Sequence, residues 1–175
     1  SPFYSNKKPY EACKKELIKI FGDILKESKA YSFDKFTKYY EKEMGKGLVK
    51  RFVIFKQPIE KISLNNKSIE KNSLKIKSIN NSLIKNKLKK IKLKTTELEK
   101  KFSRHGKRMI NLDPGYLTGK ELVLASFKPG TNYKEKISNK VYAHKVLEFK
   151  GKEAITFWHT FPDYKEKKKF FVGFK

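Results

Sequence analysis

Apolar residues recur three and four positions apart at Tyr10, Cys13, Leu17, Ile20, Phe21 and Ile24, the spacing of one helix face. Pro9 suits the first turn and Gly22 the end, so the pattern predicts a helix near 9–21. A short strand over 24–31 follows. Asp34 then caps an expected second helix that runs through Met44, with Phe36, Tyr40 and Met44 on one stripe and Gly45 as its stop. Residues 48–55 are β-branched and aromatic and predict a strand that Pro58 closes. Further on, Leu88, Ile91, Thr95, Leu98 and Phe102 restore the helical spacing, with Glu97 and Lys101 as an i,i+4 pair.

From Met109 the pattern changes to that of strands. Met109–Leu112 runs into Asp113-Pro114-Gly115-Tyr116, whose Pro and Gly suit the central positions of a type II turn. Glu121–Phe127 is a second strand, and Lys128-Pro129-Gly130 turns the chain again. Val141–Phe149 alternates, which would put Tyr142, His144, Val146 and Glu148 on one face. Lys150-Gly151-Lys152 makes a hairpin into Ala154–Trp158, and the closing Lys-Phe-Phe-Val-Gly-Phe-Lys reads as one more strand. Strands first separated by helices and then running as a meander predict a single α+β domain over 1–175. Its sheet would be mixed or mostly antiparallel, with helices packed on one face.

The stretch 61–94 differs in kind. Its residues are all Lys, Glu, Asn, Ser, Ile or Leu, with 11 Lys against one Glu, and Ser followed by Leu or Ile recurs at 63, 68, 73, 78 and 82. Such low complexity fits a basic insertion over 61–85. The same residues also fit a basic amphipathic helix that touches RNA or a partner protein. The net charge of +25 draws the chain towards polyanions, nucleic acid above all. A Lys-, Asn- and Ile-rich coding bias would produce the same charge without any ligand.

Composition excludes some classes of function. One cysteine, Cys13, leaves no intrachain disulfide framework, and its place on the apolar helix face suits a buried thiol. No apolar run approaches the ~18 residues of a membrane span, so no membrane partner is expected and the compartment reads as cytoplasm. Gly115-Tyr-Leu-Thr-Gly119-Lys120-Glu121 has three residues between its glycines and an acid after the lysine. A phosphate loop needs four, and a hydroxyl there to hold Mg²⁺. A P-loop GTPase is excluded. His105, His144 and His159 lack ligand spacing with Cys or carboxylates, so neither a metal nor another cofactor is expected.

Several blocks resemble a bacterial domain-of-unknown-function family, number 4416, whose members are sometimes labelled GTP-binding. They are Tyr-Tyr-Glu-Lys-Glu-Met-Gly (39–45), Lys-Arg-Phe (50–52), Glu-Leu-Glu-Lys-Lys-Phe-Ser (97–103), Asn-Leu-Asp-Pro-Gly-Tyr-Leu (111–117), Val-Leu-Ala-Ser (123–126), Val-Tyr-Ala (141–143) and Phe-Pro-Asp-Tyr (161–164). The resemblance implies no activity, and the failed P-loop gives the GTP label no support. It also implies that 61–85 is inserted. A strand like Lys-Phe-Phe-Val-Gly, which opens family members, stands here at 169–173. The order therefore resembles a circular permutation, with Phe170–Phe174 expected to pair in the sheet close to Ser1–Tyr4.

Polar residues at strand ends and in these blocks define a candidate face. Arg51, Arg108 and Lys128 would meet phosphate, Tyr116 and Tyr142 would stack a base, and Asn111 stands in the loaded turn. The leading expectation is binding of an anionic ligand, RNA or a nucleotide. An enzyme acting on a small phosphorylated or carboxylated substrate is the second, with Asp113 and His144 as acid and base and Glu43 beside them. A protein-binding module built on the 61–94 tract is the third.

Overall fold

Tyr10, Cys13, Leu17 and Phe21 are all buried along one helix, and the first core forms on that stripe. The computed structural model describes residues 1–61, 76–130 and 132–174. Its chain begins with β1 (Pro2–Tyr4), α1 (Lys7–Phe21), β2 (Ile24–Glu27) and β3 (Tyr31–Ser32). It continues through α2 (Glu41–Met44), β4 (Val49–Lys50), β5 (Val53–Phe55), a 3-10 turn at Ile59–Lys61 and α3 (Ile76–Lys101). Next come β6 (Ser103–Arg104), β7 (Lys107–Arg108), β8 (Ile110–Leu112), β9 (Gly115–Leu117) and β10 (Glu121–Ser126). The chain closes with β11 (Lys134–Lys136), β12 (Tyr142–Lys150), β13 (Glu153–Thr156), α4 (Pro162–Glu166) and a 3-10 turn at Lys168–Phe171.

Every described strand pairing is antiparallel, and the fold is α+β. Of the four described sheets, the first large one runs β3-β4-β1-β8 and the second β11-β12-β10-β9, with β13 also on β12; β2-β5 and β6-β7 are two-stranded. The two long helices pack together: Tyr10, Cys13 and Leu17 of α1 meet Ile91 and Leu98 of α3 over Ile110 and Leu112. Leu88 of α3 reaches Val123 and Ala125 on one face of β10. Leu122 and Leu124, on its other face, meet Phe52, Tyr164 and Phe171. The stripe expected at Leu88, Ile91, Thr95 and Leu98 is buried as its spacing requires. Of the expected insertion over 61–85, residues 62–75 lie outside the described residues, and the backbone from Ile76 belongs to α3. No helix among the described residues is long and apolar enough to cross a membrane.

Five local expectations are corrected. Asp34 caps no helix; its carboxylate accepts from the amides of Gly47 at 2.7 Å and Leu48 at 3.2 Å, which closes 34–48 as a loop and leaves only Glu41–Met44 helical. The strand expected over 48–55 divides. Val49–Lys50 pairs with β1, while Val53–Phe55 pairs with β2, because Phe52 turns into a separate aromatic core between them. No type II turn forms at Asp113–Tyr116, for Gly115 has no positive φ. It lies in β9, and a Cβ there would meet the Val123 carbonyl oxygen at 2.3 Å; the glycine permits close strand approach instead.

On β12, Leu147 faces Leu122 but Lys145 faces Val123, so Val146 is a bulge. The bulge breaks the expected alternation and brings Glu148 onto the side of Lys145, at 2.7 Å, away from His144. Finally, residues 168–171 form a 3-10 turn rather than a strand. Phe170 and Phe171 both pack on Phe52, with ring centroids 5.7 and 4.8 Å away; a strand would point neighbours to opposite faces.

Candidate nucleic-acid interface

The Asn111–Asp113 segment is where the chain passes from one sheet to the other, and a chain of partnered polar groups meets there. Arg108 donates from Nε and Nη2 to the two Glu43 oxygens at 2.6 and 2.7 Å, and from Nη1 to Asn111 Oδ1 at 2.6 Å. Asn111 Nδ2 donates to Asp113 Oδ1 at 2.9 Å. The other Asp113 oxygen faces Lys50 Nζ at 3.7 Å, and Lys50 pairs with Asp163 at 2.7 Å. Tyr31 adds a hydroxyl donor to Asp163 at 3.0 Å. The Lys50 side chain is only 3% exposed. Its ammonium lies 4.6 Å from the Phe33 ring centre and 4.8 Å from that of Tyr164. Glu99 accepts from the Leu112 amide at 2.6 Å, and Lys92 donates to the Leu112 carbonyl at 3.3 Å.

The charges in this chain hold one another. The Arg108 hydrogen bonds keep the Glu43 carboxyl below the ordinary range. Burial pushes Asp113 up, but Lys50, the amino group of Ser1, Lys92 and the Asn111 amide outweigh it and leave the carboxyl low. Burial raises Glu99, against the pull of the Leu112 amide, Lys92 and Arg108. Four of the blocks quoted above, with Glu99 from a fifth, supply Glu43, Lys50, Asn111, Asp113 and Asp163, so segments far apart in sequence converge on one cluster.

Beside this chain, the ends of the second sheet carry a different surface. Among the described residues four aromatic side chains are exposed: Tyr39 at 66%, Phe127 at 41%, Trp158 at 75% and Phe161 at 42%. Phe127 follows β10 and lies by Lys92 of α3, Tyr39 lies under Lys128, and Trp158 and Phe161 stand beside Tyr133 and His144. Lys128 holds its ammonium 3.8 Å over the Tyr39 ring, and Lys92 lies 5.1 Å from Phe127. Lys134 Nζ donates to the Lys128 carbonyl at 2.9 Å and sits 5.6 Å from the Tyr133 ring; burial, with Lys128 nearby, lowers its pKa. Tyr133 stacks on His159 at 4.7 Å and meets Trp158 edge-on at 5.1 Å. His144 Nε2 and His159 Nδ1 are 3.0 Å apart, and Phe161 stands edge-on to His144 at 5.0 Å. Lys165 Nζ reaches the Trp158 carbonyl at 3.4 Å.

The candidate residues therefore separate. Glu43, Arg108, Asn111 and Asp113 form one hydrogen-bonded chain. Lys128, Tyr142 and His144 lie at the sheet end, where Tyr142 is half-buried opposite Ser126 and Lys136. Arg51 sits elsewhere, donating to Tyr4 Oη at 3.1 Å and the Ser28 carbonyl at 3.2 Å while facing Glu27 at 3.4 Å. Tyr116 turns its hydroxyl to Glu121 at 2.8 Å. Asp113, Glu43 and His144 share no described hydrogen bond with one another. No group of three or more His, Cys, Asp or Glu that could hold a metal ion occurs among the described residues.

Lys50, Asp163, Tyr39, Trp158 and His159 were not singled out by reasoning from sequence. One signal was present. In the β12–β13 hairpin Lys150 faces Glu153 and Leu147 faces Thr156; continuing that register places His144 opposite His159. The chain belongs to a family described as a domain of unknown function (DUF4416), whose model matches residues 1–82 and 75–174. No curated protein and no solved structure matches it.

Proposed function

We propose that the protein binds single-stranded nucleic acid across the β10–β12 sheet end. The observation that carries this reading is that Trp158 and Phe161, two of the four exposed aromatic rings of the described residues, stand by Tyr133 and His144 at that end with Lys134 and Lys165 beside them, while Lys128 lies over a third, Tyr39. An exposed ring offers a stacking surface to any base, worth ~1–3 kcal/mol per base. An ammonium resting over such a ring is free to move to a phosphate when a base takes its place. The rings are spread over open surface, which suits several successive nucleotides better than one enclosed mononucleotide. The phosphate partners of this reading are Lys128, Lys134 and Lys165, since Arg51 and Arg108 face the carboxylates of Glu27 and Glu43 and Lys92 is buried on the Leu112 carbonyl.

Trp158 is the single tryptophan of the chain, so its fluorescence reports directly on the interface. Titration with a short oligouridylate at about 50 mM salt is expected to quench it, with affinity falling steeply as salt rises. Failure of any single-stranded RNA to bind would overturn the proposal. Equal affinity for a mononucleotide would replace the strand with a single nucleotide.

A further inference from the structure

His144 is 1% exposed and its Nδ1 is the one buried side-chain nitrogen or oxygen among the described residues without a hydrogen-bond partner. Its other nitrogen lies 3.0 Å from His159 Nδ1. A contact of that length holds one proton between the two rings, and there are two ways to place it. If His159 donated from Nδ1, neutral His144 would carry its own proton on Nδ1, a buried N–H with no acceptor. Such orphaned donors are rare and costly. If His144 donates from Nε2, only a lone pair is left orphaned, on a ring that meets Tyr133 and Phe161 in T-shaped contacts. The second arrangement is the better one, and it determines His159 as well. With Nδ1 accepting, the neutral ring must carry its proton on Nε2, which has no hydrogen-bond partner among the described residues and is not among their buried unsatisfied atoms.

A second proton on the pair meets opposition at both free positions. On His159 Nδ1 it would confront the His144 donor, and on His144 Nδ1 it would find no acceptor. The charged groups acting on the pair are Lys134 from β11 and Lys165 from α4, both cations. His159 is also held in position, stacked by Tyr133 at 4.7 Å and by Phe157 at 5.1 Å. The exposed indole of Trp158 stands against it at 5.2 Å.

We infer that the His144–His159 pair presents one fixed, outward N–H donor beside Trp158 and so selects a stacked base whose edge offers a ring carbonyl, uracil or guanine, over one that offers an amino group there. His159 makes the contact, and His144 is its positioning residue. The inference rests on the single-strand reading above and adds a base preference to it.

At position 4 uracil carries a carbonyl and cytosine an amino group, while at position 3 uracil carries an N–H and cytosine a lone pair, so matched oligouridylate and oligocytidylate report on a donor that meets position 4. The wild-type protein is expected to bind the uridine strand about tenfold more tightly, the factor a single hydrogen bond commands. His159→Phe keeps the stack and removes the donor; His144→Phe removes the group that fixes the tautomer. In both, the ratio should fall towards one with little change in affinity for the cytidine strand. Nitrogen-15 shifts of the free wild-type protein give a readout that needs no ligand and that a packing role would not move. Both rings should be Nε2-protonated at neutral pH. Binding of both strands with a ratio near one, or a proton on His144 Nδ1, would overturn the inference while leaving the single-strand reading intact. Binding of neither strand would overturn both.

Discussion

The polar chain from Glu43 to Asp163 and the aromatic face from Tyr39 to Phe161 lie side by side and treat charge in opposite ways. In the first, half-buried Arg108, Glu43 and Asp113 lead to buried Lys50 and Asp163, each cation matched to a carboxylate within 3.7 Å, and Lys50 is ringed by aromatics. In the second, the rings are left in water and the lysines rest over them or on carbonyl oxygens. Buried polar groups that satisfy one another leave little for a ligand to gain. Exposed rings with loosely held cations leave much. On the function proposed above, the inner chain is architecture and the outer face is the binding surface.

The largest test of that division is Lys50→Ala. It strands the buried Asp163 carboxylate and should lower stability by ~3–5 kcal/mol, read from urea unfolding, with RNA affinity of the folded fraction unchanged. A stable variant that no longer binds RNA would invert the comparison.

Acid should separate the two regions next. Burial, with Lys134 and His159 nearby, lowers the His144 pKa to about 4, below the ~6.5 of an unfolded histidine. Its contribution is therefore complete above pH ~6.5 and lost as pH falls towards about 4, at most about 3 kcal/mol. Asp113, held low, adds to acid loss and Glu99, held high, opposes it. The difference between wild type and His144→Phe cancels both: the wild type should lose about 3 kcal/mol more between neutral pH and pH ~4.

Trp158→Ala probes the outer face alone. It should weaken RNA binding by ~1–3 kcal/mol and change stability by no more than about 0.5 kcal/mol. The smallest expected effect is that of Lys128→Ala, a modest and sequence-independent loss of affinity with the salt slope reduced by about one. An unchanged slope would remove Lys128 from the phosphate contacts.

Elements governed by neighbours in sequence were legible. The stripes of α1 and α3 follow from helical spacing, and the hairpin at Gly151, φ 58°, follows from a turn residue between alternating strands. Expectations failed where a distant group competed for a local one. Asp34 was free to cap a helix until the Gly47 and Leu48 amides took its carboxylate. Gly115 could have formed a turn, but β10 lies too close to permit any other residue. The closing phenylalanines had a strand's composition, and the Phe52 core drew both rings to one side.

The candidate site divides along the same line. The position of Lys128 after β10 and of His144 near the start of β12 was legible, because strand ends follow from turn residues. Arg51 and Arg108 could be recognised as cations, but whether they were free to meet phosphate depended on Ser28, Tyr4 and Glu43, which only folding brings to them. By itself the sequence determined the periodic elements, the excess of positive charge and the presence of the hairpin at Gly151. The tertiary structure alone decided which charges are neutralised and which rings stay in water, because burial and pairing belong to contacts between segments and no local pattern encodes them.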